Sequence, residues 1–206
     1  MPALSGSRIF GIAVLCVAFG LGVYALVVGQ QAPVPQPVEK SEVPIGGPFE
    51  MVDHTGKTVT DKTYAGKHML IYFGFTYCPD ICPTELQVIA NALDKLTPGE
   101  LNALQPLFVT VDPERDTVTE MAGYVQHFHD DLIGLTGSQE QVTNMAETYR
   151  VWFKKMEDED STAGYTMEHT NIVYLMGPDG KYADHFTFNV KADEIAERIS
   201  KRLSQR

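Results

Sequence analysis

Cysteine is scarce in this chain: three in 206 residues, with Cys16 in an apolar N-terminal run and Cys78 and Cys82 four positions apart. A disulfide-stapled scaffold carries more cysteines at wider spacing, so the pair is not framework and belongs to a site or to nothing. Basic charge is also short, with 16 Lys and Arg against 27 Asp and Glu, a net charge of -11. That balance excludes nucleic acid as a natural partner, because the phosphate backbone would repel it. Proline is missing from a long internal stretch: none occurs between Pro113 and Pro178.

Charge is absent altogether from residues 9–28, a run of 20 residues. This matches the ~20 residues an α-helix needs to cross a bilayer, and exceeds the apolar core of a cleaved signal peptide. The run reads as one transmembrane anchor after a short N-terminus, residues 1–8. Arg8 is the only basic residue near its N-terminal side, which places the N-terminus in the cytoplasm and the rest of the chain across the membrane. Cys16 reads as a packing residue. Residues 29–47 are proline-rich and polar, the composition of a semi-extended tether. Residues 48–206 form the folded domain.

Within that domain, residues 49–53 and 58–60 predict a hairpin. The apolar runs 69–76 and 106–112 predict buried strands. Helical spacing follows over 83–96, 117–128 and 138–149, the last opening with Ser138 and Gln141 as a capping box. Strands are expected at 132–135, 152–156 and 171–176, then a turn at 177–180 into 181–188 and a final amphipathic helix over 192–203. The order predicts an α/β fold with a mixed sheet flanked by helices.

The pair lies in YFGFTYCPDICPTELQ, residues 72–87, at the end of the first central strand. In open α/β sheets ligands gather at that edge. Pro83 favours the first helical position, which makes Cys82 the helix N-cap and Cys78 a loop thiol. Helix N-terminal amides lower a thiol's pKa, and a thiolate serves disulfide exchange and soft-metal binding alike. The local chemistry leaves both readings open. A thioredoxin-type oxidoreductase carries C-x-x-C and a proline before a later strand. Here the spacer is one residue longer, and Glu168-His169-Thr170 precedes the strand instead. Two cysteines and a histidine make a soft set suited to Cu(I) and acceptable to Cu(II); His169 taken alone would be an ordinary hydrogen-bonded loop residue. Asp112 lies on the same sheet edge, where it is either a carboxylate tuning the site or part of an Asp-Pro turn. His185 is a weaker ligand candidate. His54, His68, His127 and His129 read as turn, edge and helix-cap residues.

GFTYCPDICPTEL (74–86), VTVDPERDT (109–117), FHDDLIGLTG (128–137) and EHTNIVYLMGPDGKY (168–182) resemble, in order and spacing, the Sco/SenC family of membrane-anchored copper chaperones. The resemblance covers about residues 43–203. It implies a thioredoxin-like fold and one copper, Cu(I) or Cu(II), held by Cys78, Cys82 and His169, with the family's motif aspartate at Asp112. It further implies delivery of copper to the binuclear centre of cytochrome c oxidase subunit II, in exchange with other copper donors or thiol reductants. The domain would lie in the periplasm, or the intermembrane space if mitochondrial, on an inner-membrane anchor. Family members are also discussed as thiol-disulfide reductases for the target's cysteines and as redox-signalling components, so enzymatic activity stays open. Glu168 stands where many relatives carry Asp, and Val118 where they often carry proline; neither touches the ligands. The acidic stretch 157–160 with Glu168 would steer a basic rim on a partner, or form a merely solvated charge run.

Overall fold

The computed structural model describes Tyr24 and residues 44–157 and 163–204. It divides the chain into a unit of residues 1–43 and a compact unit of residues 44–206. The expected membrane span, apart from Tyr24, and residues 29–43 of the tether lie outside the described residues, as do Cys16 and residues 158–160. Among the described residues no helix is long and apolar enough to cross a membrane.

The compact unit is built on seven strands: β1 (Glu50–Asp53), β2 (Thr58–Thr60), β3 (His68–Gly74), β4 (Leu104–Thr110), β5 (Ile133–Thr136), and two more that follow a separate ribbon. The ribbon is β6 (Phe153–Glu157) with β7 (Tyr165–His169), and the sheet ends with β8 (Ile172–Met176) and β9 (Tyr182–Thr187). The sheet order is β2-β1-β5-β4-β3-β8-β9. β3, β4 and β5 run parallel, while β1, β8 and β9 pair antiparallel with their neighbours, so the sheet is mixed as expected. Every residue of β3, HMLIYFG, is buried, as befits a central strand covered on both faces.

The helices are α1 (Ile81–Leu93), α2 (Pro98–Asn102), α3 (Val118–Val125), α4 (Gln139–Thr148) and α5 (Ala192–Leu203). α1 buries Cys82, Glu85, Leu86, Ile89 and Leu93, a helical stripe facing the sheet. The capping box at Ser138 and Gln141 is present at the start of α4, and α5 has the bounds its periodicity predicts. α2 follows a second box, Thr97 with Glu100, which the sequence reading passed over.

Two expectations need correction. α1 begins at Ile81 with Asp80 as N-cap, so Cys82 lies inside the first turn rather than capping it. Pro83 is tolerated there because the first N–H groups of a helix have no intrahelical partner, wherever in that turn the proline falls. His169, expected in a loop, is the last residue of β7. That strand pairs with β6 in register Phe153↔His169, outside the main sheet.

The edge that carries the cysteines is tied by one carboxylate. Asp116 Oδ2 accepts the Thr76 amide at 3.0 Å and the Thr110 hydroxyl at 2.6 Å, and Oδ1 accepts the Thr76 hydroxyl at 2.5 Å. Its backbone carbonyl accepts the Thr136 hydroxyl at 2.6 Å. Asp116 is fully buried, and that burial raises its pKa despite the three donors. An orphaned buried donor costs about 1–3 kcal/mol. Asp116→Ala is therefore expected to lower the unfolding free energy by at least about 3 kcal/mol in a urea titration, and Thr136→Val by about 1 kcal/mol. An Asp116→Ala protein as stable as the parent would show that the edge is held by other contacts.

Candidate metal centre

β3 delivers the chain to the site, and its last residue must be small. A Cβ on Gly74 would lie 2.9 Å from Cys82 Sγ and 2.8 Å from the Phe108 ring. The loop then turns back through the Cys78 amide, which donates to the Phe75 carbonyl at 3.3 Å, and enters α1.

The two thiols are free and chemically unequal. Cys78 is half-buried, and its sulfur accepts the Cys82 amide at 3.3 Å. Its pKa is lowered to about 6, first by the hydrogen bond it shares with the Cys82 thiol and then by the amides of Cys82, Asp80 and Ile81. This favours the thiolate form of Cys78 at neutral pH. The pKa of Cys82 is pushed up, because its proton is engaged by Cys78 and its sulfur is buried beside Tyr72. The Cys82 thiol and the helix-start amides together thus activate the loop sulfur.

His169 supplies the third group. Its Nδ1 lies 3.1 Å from the Thr170 carbonyl, which can only accept, so Nδ1 carries the proton. Burial lowers its pKa, which keeps the ring neutral and leaves a lone pair on Nε2. That nitrogen is 3.7 Å from Cys82 Sγ. Two ligands of one ion, with a sulfur about 2.3 Å and a nitrogen about 2.0 Å from it, stand roughly 3.5–3.8 Å apart at tetrahedral to trigonal angles. Cys82 and His169 therefore have the spacing of two ligands on one ion. Among the described residues no group of three or more His, Cys, Asp or Glu side chains is placed to hold a metal ion. The rings of Tyr72 and Phe75 meet the imidazole edge-on at centroid distances of 6.4 and 6.0 Å, making an apolar wall.

The other sequence candidates lie elsewhere. Asp112 is buried, accepts Arg115 Nε at 2.5 Å and the Tyr165 hydroxyl at 2.9 Å, and shares no hydrogen bond with the three donors. His185 is exposed on β9 and bonded to the Tyr182 hydroxyl. His129 accepts the Asp131 amide, and His54 accepts the Gly134 amide. Sequence reasoning missed Asp116 and Arg115, both inside the quoted VTVDPERDT, and Glu85, a buried carboxyl on α1 whose pKa burial raises. Three-residue spacing from Cys82 was the available signal for Glu85.

Chemically, the arrangement offers one half-buried thiolate, one buried thiol and one neutral imidazole lone pair. This is a soft, low-coordinate donor set, and it is also a dithiol able to close into a disulfide.

The SCO1/SenC family matches residues 37–204 of this chain. The chain is 46% identical over 163 residues to protein SCO1 homolog, mitochondrial, of Homo sapiens, the match spanning 77% of this chain and 53% of the human one. It is 44% identical over 161 residues to the Arabidopsis thaliana SCO1 homolog 1, across 78% of this chain and 48% of that one. The chain thus spans about half the length of these relatives. A SCO2-like protein of Rickettsia prowazekii is 36% identical over 160 residues, 78% of either chain. Among solved structures, Arabidopsis thaliana ScoI with copper bound superposes with a TM-score of 0.72 at 41% identity, over 79% of this chain and 99% of that one. Bradyrhizobium japonicum ScoI with copper bound gives 0.70 at 39% identity, over 77% and 99%. The mixed sheet, its flanking helices and the ordered motifs are those of Sco proteins, and the chain belongs to the SCO1/SenC family.

Proposed function

We propose that this chain is a membrane-anchored copper chaperone that holds one copper ion on Cys78, Cys82 and His169. It delivers the ion to the binuclear copper centre of cytochrome c oxidase subunit II during assembly. The observation that carries the reading is the neutral Nε2 of His169 at 3.7 Å from Cys82 Sγ, with the Cys78 thiolate bonded to the same cysteine. Two similar Sco structures with copper bound support it. Copper is cargo here. Cys78 meets it as a thiolate, Cys82 loses its thiol proton on binding, and His169 adds a lone pair without a proton change. Loading thus releases about one proton per ion. Release runs in reverse: an acceptor thiolate replaces Cys78 first, because Cys78 is the half-exposed donor, while Cys82 and His169 stay behind the protein wall.

The anchor belongs to the same proposal. Residues 9–28 cross the inner membrane, 29–47 tether, and 48–206 stand in the periplasm or intermembrane space, where subunit II presents its copper-binding cysteines.

The unequal thiols favour a second reading, a thiol-disulfide reductase of the same acceptor or a redox-signalling component. The Cys78 thiolate attacks an acceptor disulfide and expels one acceptor thiolate. Cys82, giving up its proton, then attacks the mixed disulfide, leaving a reduced acceptor and a Cys78–Cys82 disulfide that cannot hold copper. Asp112 serves either reading through the contacts it makes with Arg115 and Tyr165.

The full-length protein, purified reduced in detergent, is expected to bind one Cu(I) per chain, and Cys78→Ser, Cys82→Ser and His169→Ala each to weaken it. If His169→Ala holds copper as tightly as the parent, the three-donor site is wrong. If no form binds copper while the parent rapidly reduces a test disulfide, the reductase reading replaces it. In the metal-free protein, alkylation of Cys78 should rise with pH around a midpoint of about 6, with Cys82 unreactive until the chain unfolds. Mass spectrometry of the two cysteine peptides reads this; a Cys78 midpoint at the ordinary thiol value of about 8.5 would contradict the asymmetry.

A further inference from the structure

His169 sits on a ribbon of two strands that shares no ladder with the seven-stranded sheet. A two-stranded ribbon alone is marginal in water, so its position must come from side-chain contacts with the body. Met167 is buried in the core and Lys155 pairs with Glu114 at 2.6 Å, and the contacts nearest the cysteine loop meet at Arg115. Its Nη1 donates to the Tyr165 carbonyl at 3.0 Å, and its guanidinium carbon lies 3.7 Å from the Tyr165 ring centre. The same carbon lies 4.7 Å from the ring centre of Tyr77 and 5.9 Å from that of Phe75. Its Nε donates to Asp112, which also accepts the Tyr165 hydroxyl. Tyr77 immediately precedes Cys78, and Tyr165 lies on the strand that ends in His169. The stretch bearing the outer thiol and the stretch bearing the imidazole therefore rest on a single planar cation.

Resting on the metal site proposed above, the geometry points to Arg115 as the positioning residue that fixes His169 relative to Cys78 and Cys82. It touches none of the donors and acts through Tyr165 and the ribbon. Arginine is required by the contacts themselves. They combine a fork that donates at once to a carboxylate and a carbonyl with a flat face that stacks on rings, and lysine has neither the fork nor the plane. Asp112 holds the fork at its Nε and accepts the Tyr165 hydroxyl, which ties that buried carboxylate to the ribbon. Without Arg115 the ribbon keeps its own β6–β7 ladder, but the imidazole is no longer held 3.7 Å from Cys82.

A merely stabilising arginine and a positioning one differ in what happens when His169 is already gone. Full-length parent, Arg115→Met, Arg115→Lys, His169→Ala and the Arg115→Met/His169→Ala double variant are titrated with Cu(I) against a competing chelator. Ile199→Val, a core change in α5, serves as the control for lost stability. Arg115→Met is expected to weaken Cu(I) binding about 10- to 100-fold, the range for residues that orient a ligand. Arg115→Lys should fail to restore it, Ile199→Val should leave it unchanged, and the double variant should bind no more weakly than His169→Ala alone. A second readout uses no metal: the ring NMR signals of His169, which lies against Cys82, Tyr72 and Phe75, should move in both Arg115 variants relative to the parent. Additive losses in the double variant, or unchanged His169 ring signals in Arg115→Met and Arg115→Lys, would overturn the assignment. A parent that binds no copper would overturn the proposed function instead, and the ring signals would still decide the role of Arg115.

Discussion

Three parallel strands end at the same edge of the sheet, and one buried carboxylate ties those ends together. Asp116 accepts from Thr76 just beyond β3 and from Thr110 at the end of β4, while its carbonyl receives Thr136 at the end of β5. Burying a carboxylate is unfavourable unless its lone pairs are used, and here they are. The arrangement dictates where the chain can go next. Thr76 is two residues before Cys78, so the loop that carries the outer thiol leaves the sheet at a fixed point and angle. Gly74 completes the constraint, because any side chain there would strike the Cys82 sulfur.

The three candidate ligands differ in exposure because they are presented by different kinds of structure. Cys82 belongs to the buried stripe of α1, so its sulfur is sealed against the sheet and keeps its proton. Cys78 belongs to the loop that faces the first turn of that helix, where unpaired amides collect on its sulfur. His169 belongs to the ribbon, with one nitrogen committed to a carbonyl and the other left open. A soft ion and an incoming disulfide would both find the same geometry suitable: a charged sulfur outside, a second sulfur directly behind it. The two proposed activities are thus alternative uses of one asymmetry, separated by whether copper or oxidised acceptor arrives first.

Much of the fold was legible. The apolar runs at β3, β4 and β8 read as buried strands, and the capping box at Ser138 and the stripe of α5 read as helix signals, because each depends on residues within one element. The ribbon was half visible. TMEH lacks a clean alternation, and β7 is stabilised by Arg115 and Tyr165 contacts that span 50 residues or more. The start of α1 was misplaced because Pro83 fits several positions in a first helical turn equally well. Asp116 was overlooked beside Asp112 because nothing local distinguishes them; the first binds a threonine 40 positions away, the second an arginine three positions on.

Residue types and spacing alone placed two cysteines at the end of a central strand and showed that no thioredoxin-style proline precedes β8, while the three-ligand set with His169 was what the family resemblance implied. The assignment of charge among those ligands follows from neither. Which sulfur is the thiolate, which imidazole nitrogen is free and what holds the histidine in place depend on groups brought together from 87 positions apart by sheet order and ribbon docking. Burial and hydrogen-bond partners, which set proton affinities, exist only once the chain is folded.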